Sequence, residues 1–383
     1  MKRPLSRARR HSWRSRTSSL AARGAVRIAI ALVLSCLALV FPQRVLADPP
    51  TFASTPSDIL VEAVDDLGAD VDFSLPSAID DNGEPFVTCD PSPGYFFEVG
   101  ATPVTCVAED RLTGEQSVPL RFSVRVLEHA QERASSGRVR ALFYYRKIRD
   151  SYGLIDFKNV RVTIIRDEKV ALSATAPRYP RPYFRVWPAG YGERRSIFVR
   201  DLDGDQEPEI LLDLYAGGAH CCFWSDVYRY SSGSYRRVSH FWGNAFYRLV
   251  DVNGDGRPEF QSFDDRFAYA FTSFAFSRFP IQIWSYEAGR FKDVTRNFPA
   301  EIRSDATRQW RSYRSLRRRR YEVRGALAAW VADECLLHRG TGALRRLRQL
   351  EANGELSRSD GPESAGAYMR KLTRTLRRFG YRR

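Results

Sequence analysis

Two short acidic segments, fifty residues apart, share one arrangement of residues. Each has oxygen-bearing side chains at its positions 1, 3, 5 and 9, a glycine at position 4 and a proline at position 8. These side chains are Asp201, Asp203, Asp205 and Glu209 in the first segment, and Asp251, Asn253, Asp255 and Glu259 in the second. The glycine favours a sharp bend, around which alternate side chains can point at a common centre. Because the arrangement recurs in one register, it constrains the fold more than any other feature of the chain.

The arrangement predicts two calcium sites, because calcium takes six to eight oxygen ligands at about 2.3–2.6 Å and a bent acidic loop can supply them. Carboxylates held this close repel one another unless a cation lies among them. We expect the backbone carbonyl at position 7, from Glu207 or Arg257, and water to complete each shell. The alternative is a pair of Asp/Gly turns that hold no ion. The second site has one charge fewer among its ligands, which predicts that it binds calcium more weakly.

Both segments connect runs of residues that favour β-strands, at 196–199, 210–215, 245–250 and 260–263. They are not EF-hand loops, because position 12 is Leu212 or Ser262 instead of glutamate. With the motif D-x-[DN]-G-D-G-x-x-[DE] between strands, residues 195–295 resemble the FG-GAP/VCBS repeats of bacterial surface proteins. The first segment departs from that motif at Gln206, and both end in Glu instead of Asp. The resemblance implies calcium loops in the blades of a β-propeller.

Further hairpins at 223–238 and 280–294 bring each repeat to four strands, the number in a propeller blade. Two units are clear, and 138–195 is a degenerate third. A closed ring needs at least four blades, so we expect a partial propeller over 138–300. The edge strands of such an open assembly have unpaired backbone N–H and C=O groups, and we expect the C-terminal helices to cover them.

Short β-prone runs every 8–12 residues over 56–127 predict a small sandwich. The residues Cys89-Asp-Pro91, Phe97, Gly100, Thr102, Val104, Cys106, Asp110 and Phe122-Ser-Val-Arg-Val126 make this region resemble the hyalin repeat, an immunoglobulin-like module, over about 52–128. The resemblance implies a role in adhesion or spacing, no catalytic residues, and a disulfide between Cys89 and Cys106. We assign 48–130 to this module and 131–137, which is polar and rich in small residues, to a linker.

Residues 1–47 have the basic, apolar and small-residue order of a signal peptide that is cleaved after Ala47, with a membrane anchor at 25–41 as the alternative. They hold ten of the basic residues, so the formal charge of +15 falls to about +5 without them. Residues 302–383 have 21 Lys and Arg against 8 Asp and Glu. The high isoelectric point therefore comes from the basic residues of these two terminal segments, and it does not indicate a nucleic-acid binder.

The segment Gly217-Gly-Ala-His-Cys-Cys222 contains the residue types of a reactive site. Zinc binding through His220, or a Cys–His nucleophile, are alternatives, but the usual zinc spacing is missing and neighbours in a strand point to opposite faces. In a secreted chain a disulfide is favoured, either between Cys221 and Cys222 or from one of them to Cys335.

Ten aromatic side chains lie in the same part of the sequence. They form either a platform on which sugars stack or, as we expect from their strand spacing, part of the hydrophobic core. They are Tyr228, Tyr230, Trp242, Phe246, Tyr247, Phe271, Phe274, Phe276, Phe279 and Trp284.

Apolar periodicity predicts helices at 326–337, 342–350 and 365–379, within an arginine-rich helical segment at 301–383. Their exposed basic faces either pair with the acidic remainder of the molecule or contact an anionic surface.

The predicted fold class is mainly β, with an N-terminal immunoglobulin-like β-sandwich, an antiparallel β-repeat (partial propeller-like) domain and a C-terminal basic helical segment. The predicted function is that of a secreted or cell-surface calcium-binding adhesion protein, with structural Ca2+ and no catalytic residues. The alternative is a secreted hydrolase acting on glycans or phosphoesters through loops of the repeat domain, although no catalytic motif supports it. Expected partners are a cell-surface glycan, a cell-wall polymer or a surface protein, with anionic surface contact through 302–383. We expect a monomer and no specific nucleic acid.

Overall fold

Residues 48–81, 83–149, 152–182, 184–218, 221–356 and 364–382 are described by the computed structural model. The predicted signal peptide, the alternative anchor at 25–41 and His220 lie outside these residues. The chain from Pro49 onward forms one compact unit, and its mainly β fold with a helical C-terminal segment confirms the predicted fold class. None of the helices in the described ranges combines the length and apolar character needed to cross a membrane.

The first eight strands form a small two-layer module. Strands β2, β8, β7 and β5 make one sheet in that order, in which β2 runs parallel to β8 and the other pairs are antiparallel. Strand β3 pairs with β6, and β1 with β4. Alternate residues of β3, β6, β7 and β8 meet in one core, with Phe97, Val104 and Val124 almost fully buried. The strands are β1 (Thr51–Phe52), β2 (Ile59–Glu62), β3 (Gly68–Val71), β4 (Ala78–Ile79), β5 (Phe86–Asp90), β6 (Tyr95–Glu98), β7 (Gly100–Glu109) and β8 (Leu120–Leu127).

Three antiparallel sheets follow along the chain, in the strand orders β12-β11-β10-β9, β13-β15-β16-β17 and β18-β19-β20-β21, with β14 also paired to β15. The strands of the first of these sheets are β9 (Glu132–Ser136), β10 (Val139–Arg149), β11 (Ile155–Arg166) and β12 (Lys169–Thr175). Those of the second are β13 (Trp187–Pro188), β14 (Ile197–Arg200), β15 (Glu209–Tyr215), β16 (Phe223–Ser231) and β17 (Ser234–Gly243). Those of the third are β18 (Arg248–Val250), β19 (Glu259–Phe263), β20 (Ile281–Glu287) and β21 (Arg290–Asp293).

These sheets stack face to face because alternate residues of one strand enter different cores. In β15, Ile210 and Leu212 pack against the β9–β12 sheet, whereas Leu211 packs with Phe260 of β19 and Tyr286 of β20. All seven residues of β15 are buried, as expected for a strand covered on both faces. The degenerate unit predicted at 138–195 overlaps a four-stranded sheet that begins earlier, at Glu132, and ends at Thr175, whereas β13 belongs to the next sheet.

Four helices cover the outer face of the last sheet. Ile281 and Ile283 of β20 belong to the same core as Leu327 and Val331 of the second helix and Tyr313 of the first. The helices are α1 (Pro299–Arg318), α2 (Arg324–Leu336), α3 (Gly340–Ala352) and α4 (Ala365–Arg378). Short 3-10 helices lie at Asp265–Phe267, Phe274–Phe276 and Thr295–Asn297. The apolar residues that recur with helical spacing at the C-terminus therefore form a face that is buried against a sheet.

The prediction of a linker at 131–137 is wrong, because Glu132–Ser136 is strand β9. Ala134 is buried opposite Ala141 of β10, and Gly137 takes a positive φ of 54° in the tight turn between the two strands. The other residues of β9 are polar because it is an edge strand with one face in contact with solvent. Glu132 also accepts hydrogen bonds from the N–H groups of Ser196 and Ile197, which joins this edge to β14.

Candidate metal centre

The two acidic loops form the same turn, held by the same set of hydrogen bonds. The carboxylate at position 1 accepts from the N–H groups of positions 4 and 6, as Asp201 does at 2.7 and 2.9 Å and Asp251 does at 2.6 and 2.8 Å. The carboxylate at position 5 accepts from the N–H of position 7 at 2.9 Å in both loops. The glutamate at position 9 accepts from the N–H of position 2, at 3.0 Å for Glu209 and 2.8 Å for Glu259. The repeat in the sequence is therefore a repeat in local structure.

In the first loop the acidic side chains converge. Among the described residues, Asp201, Asp203 and Glu209 are the group of acidic, histidine or cysteine side chains whose ligand atoms all lie within 4.8 Å of one another. Oδ1 of Asp203 and Oε1 of Glu209 are buried and have no hydrogen-bond partner, and the two side chains are 6% and 0% exposed. Buried carboxylate oxygens without partners are costly, and a divalent cation among them would remove that cost. This donor set could hold a metal ion.

The second loop is more open. Its acidic side chains do not form a comparable group in the part of the chain that the structure describes. Asn253, Asp255 and Glu259 instead line a cavity of about 240 Å³, together with Ser285 and Glu287 of β20. The amide of Asn253 donates to Asp255 at 3.0 Å, so these two side chains face each other.

Burial and mutual repulsion perturb the glutamates at position 9. The pKa of Glu209 is raised to about 8, chiefly by burial and then by the charges of Asp203, Asp205 and Asp201, although the N–H of Leu202 lowers it. The pKa of Glu259 is also raised, first by burial, so the two loops share this feature as well. In both loops the surroundings of this glutamate therefore disfavour its charged form.

Arginines that the sequence did not indicate surround the first loop. Arg229 of β16 lies against three of the four predicted ligand side chains, those of Asp203, Asp205 and Glu209. The side chain of Glu207 forms ion pairs with Arg166 and Arg138, and hydrogen bonding to Arg166 lowers the pKa of this carboxyl.

The two loops also touch each other. The side chain of Arg257, at position 7 of the second loop, lies over Gly204 of the first so closely that a Cβ there would come within 2.7 Å of its Cδ. Asp203 accepts a hydrogen bond of 3.0 Å from the N–H of Ala288, in the turn between β20 and β21. The first loop is therefore attached to the sheet that holds the second.

An aromatic cluster between the same two sheets surrounds His240 of β17. Its ring centroid lies 4.1 Å from that of Trp242 and 4.5 Å from those of Trp284 and Phe291. Burial among these rings lowers the pKa of His240 to about 4. The cluster favours the neutral imidazole, which makes the packing of the two sheets sensitive to acid.

We expect acid to destabilise the protein through His240. Between pH 6.5 and 4 the unfolded chain binds a proton at this residue and the folded protein does not, so stability falls as the pH falls. From pH 7.5 to pH 5 the loss should be about 2 kcal/mol relative to His240→Gln, which cannot titrate. Urea unfolding of both proteins across this range measures it. Asp213 has a raised pKa of about 7, so its contribution to stability increases as the pH falls. Both proteins contain this residue, so its contribution cancels in the comparison. Parallel pH profiles for the two proteins would contradict the assignment.

Cys221 and Cys222 form a vicinal disulfide, one of the pairings that the sequence left open. Cys335 is a buried thiol, and burial raises its pKa to about 11, which makes it unreactive.

Ten aromatic side chains were considered above as a platform for stacking sugars. Nine of them are buried or partly buried and Phe246 is exposed, which favours a role in the core.

A comparison with protein-family models gives no match for this chain. A probable thylakoid lumen protein of Synechocystis is 34% identical over 146 residues, which are 36% of this chain and 43% of that protein. An uncharacterized protein of Sinorhizobium fredii is 29% identical over 154 residues, 38% of this chain and 24% of that protein. The chain thus spans less than half the length of these curated relatives.

A solved structure of a Xanthomonas type IV secretion system related protein covers 50% of this chain and 99% of its own length. The sequence identity is 12% and the TM-score is 0.14, so this likeness carries no argument about the fold.

Proposed function

We propose that this is an extracytoplasmic calcium-binding protein with a binding or adhesion role, in which calcium is structural and no catalysis occurs. The observation that carries the proposal is the first loop. Its turn uses some carboxylate oxygens for internal hydrogen bonds and leaves Asp203 Oδ1 and Glu209 Oε1 buried without hydrogen-bond partners. When bound, calcium is coordinated by these oxygens, to which the neighbouring guanidinium of Arg229 donates no hydrogen bond.

The position of the loops supports a structural role. Each loop connects two strands of one stacked sheet, and the first is hydrogen-bonded to the β20–β21 turn through Asp203. Cations held at these points would tie adjacent sheets together at one end of the stack. A rigid stack of this kind suits a protein that presents a surface to a partner.

Two kinds of observation support a location outside the cytoplasm. One relative is named as a probable thylakoid lumen protein. Four of the cysteines in the described residues are in disulfides, which persist in oxidising compartments.

The helical segment supplies the proposed contact with an anionic partner, either a cell-wall polymer or a lipid surface. Several of its arginines are exposed, including Arg318, Arg345 and Arg374. Attraction of this kind is screened by salt, so it should weaken as ionic strength rises.

An array of surface glycans and anionic cell-wall polymers, probed with and without calcium, tests the proposed role. We expect binding to one ligand class in calcium and loss of that binding in chelator or in the double variant Asp203→Asn, Asp255→Asn. The matched control is Asp66→Asn, which changes one exposed carboxylate of the first module. Binding that is equally strong in chelator would contradict the calcium-dependent role.

A further inference from the structure

Arg229 occupies the place from which a cation would reach the first loop. Its Nη2 lies 2.6 Å from Oδ2 of Asp205, and its Nε lies 3.4 Å from Oδ2 of Asp203 and 3.6 Å from Oε1 of Glu209. The side chain is 23% exposed, and its Nε is buried without a hydrogen-bond partner. The guanidinium thus gives these three carboxylates a positive neighbour but leaves the buried oxygens without hydrogen bonds.

The second loop has no equivalent of this contact among the described residues. Arg257 meets one of its carboxylates, that of Asp255, at 3.2 Å, and the Arg257 side chain is 54% exposed. Glu259 and Asp251 form no ion pair within the described ranges. The two loops therefore share a turn but differ in their internal counter-charge.

We propose that Arg229 is a built-in competitor for calcium at the first loop, so that calcium binds there only by displacing the guanidinium. The proposal rests on the calcium-binding function proposed above and adds its regulation. Arg229 can stabilise the loop when calcium is scarce, because an ion pair with a poorly exposed carboxylate is less screened than one at the surface. It also lowers calcium affinity, because two cations that share the same oxygens repel each other. The second loop then binds calcium more tightly, the reverse of the order expected from ligand charge alone.

The size of the side chain decides how the displacement can occur. Arginine is long, and Arg229 lies near the C-terminal end of β16 with 23% of its side chain exposed, so its guanidinium can move outward into solvent. A glutamine at the same position keeps the polar surface and removes the charge.

Calorimetric titration of calcium into the calcium-free full-length protein tests the proposal. Asp203→Asn and Asp255→Asn assign the two binding events to their loops. In the wild type, we expect the event lost in Asp203→Asn to be the weaker. In Arg229→Gln, that event should tighten at least tenfold, and the second should stay within about twofold. Arg229→Lys, which keeps the charge, should bind much as the wild type does.

Arg236→Gln is the matched control, because Arg236 lies directly opposite Arg229 on β17 and forms no ion pair in the described residues. It should change the first event by less than about threefold. Thermal unfolding gives a second readout: Arg229→Gln should melt below the wild type in chelator and regain its stability in saturating calcium.

A first-loop affinity that is unchanged or weakened in Arg229→Gln would overturn the competition and make Arg229 a scaffold of the site. So would a variant that stays unfolded in saturating calcium. If neither the wild type nor Arg229→Gln binds calcium, calcium binding itself is wrong. These outcomes separate failure of the inference from failure of the proposed function.

Discussion

Calcium should stabilise the protein by about 5 kcal/mol when its free concentration is about 100 times the dissociation constant of each loop. In the proposed function the ion binds the folded loops and scarcely binds the unfolded chain, so each site should contribute roughly 2.7 kcal/mol at that concentration. The physical source is the relief of repulsion among the acidic side chains, of which Asp203 and Glu209 each have a buried oxygen without a partner. Thermal unfolding followed over a calcium titration measures the gain.

Single substitutions should remove the increments separately. Asp203→Asn should abolish the gain from the first loop, and Asp255→Asn the gain from the second, with Asp66→Asn as the control that leaves both intact. Extracellular calcium modules bind at about 10⁻⁴–10⁻³ M, so the titration must extend to about 100 mM to reach 100 times the dissociation constant. A melting temperature that does not move with calcium over that range would remove the basis of both proposals.

The local structure around the loops was predictable because it depends on neighbouring residues. Alternating or continuous apolar runs predicted strands at 210–215, 223–230 and 280–286, which match β15, β16 and β20 to within one residue at each end, since β-branched and aromatic side chains pack well on a pleated surface. The glycine at position 4 also has the expected role, because Gly204 and Gly254 take positive φ values of 78° and 77°. A turn, and the two strands that it joins, can be derived from about twenty consecutive residues.

The environment of the loops was not predictable, because it comes from residues far along the chain. Arg229 follows Asp205 by 24 residues and meets it only because β16 pairs with β15. Nothing in its immediate neighbours distinguishes it from Arg236, which has no carboxylate contact in the described residues. The same limit explains the error at 131–137, where polar residues form an edge strand because β10 is there to pair with them.

This difference has a consequence for ranking metal sites by sequence. Counting ligand charges predicts that the first loop, with four carboxylates, binds calcium more tightly than the second, with three. The count omits the counter-charges, of which Arg229 meets three carboxylates of the first loop whereas Arg257 meets one of the second. Ligand charge sets affinity only when the other charges within a few ångströms are included.

Removing the disulfide of the first module should cost about 3 kcal/mol. Cys89 and Cys106 are joined across directly opposite positions of β5 and β7 and are 17 residues apart in the chain. Closing a loop of that length restricts the unfolded chain and stabilises the folded one by about 3 kcal/mol in the chain-entropy account. Urea unfolding of Cys89→Ser, Cys106→Ser against the wild type measures the loss.

The vicinal disulfide provides a matched control for the idea that Cys89–Cys106 stabilises the protein by restricting the unfolded chain. Cys221 and Cys222 are adjacent, so their bond closes almost no loop and removes little entropy from the unfolded chain. Cys221→Ser, Cys222→Ser deletes the same number of sulfur atoms and one disulfide, and it should cost well under half as much. Equal losses in the two double variants would show that the contribution of Cys89–Cys106 comes from packing, since Cys106 is fully buried, and not from the restricted loop.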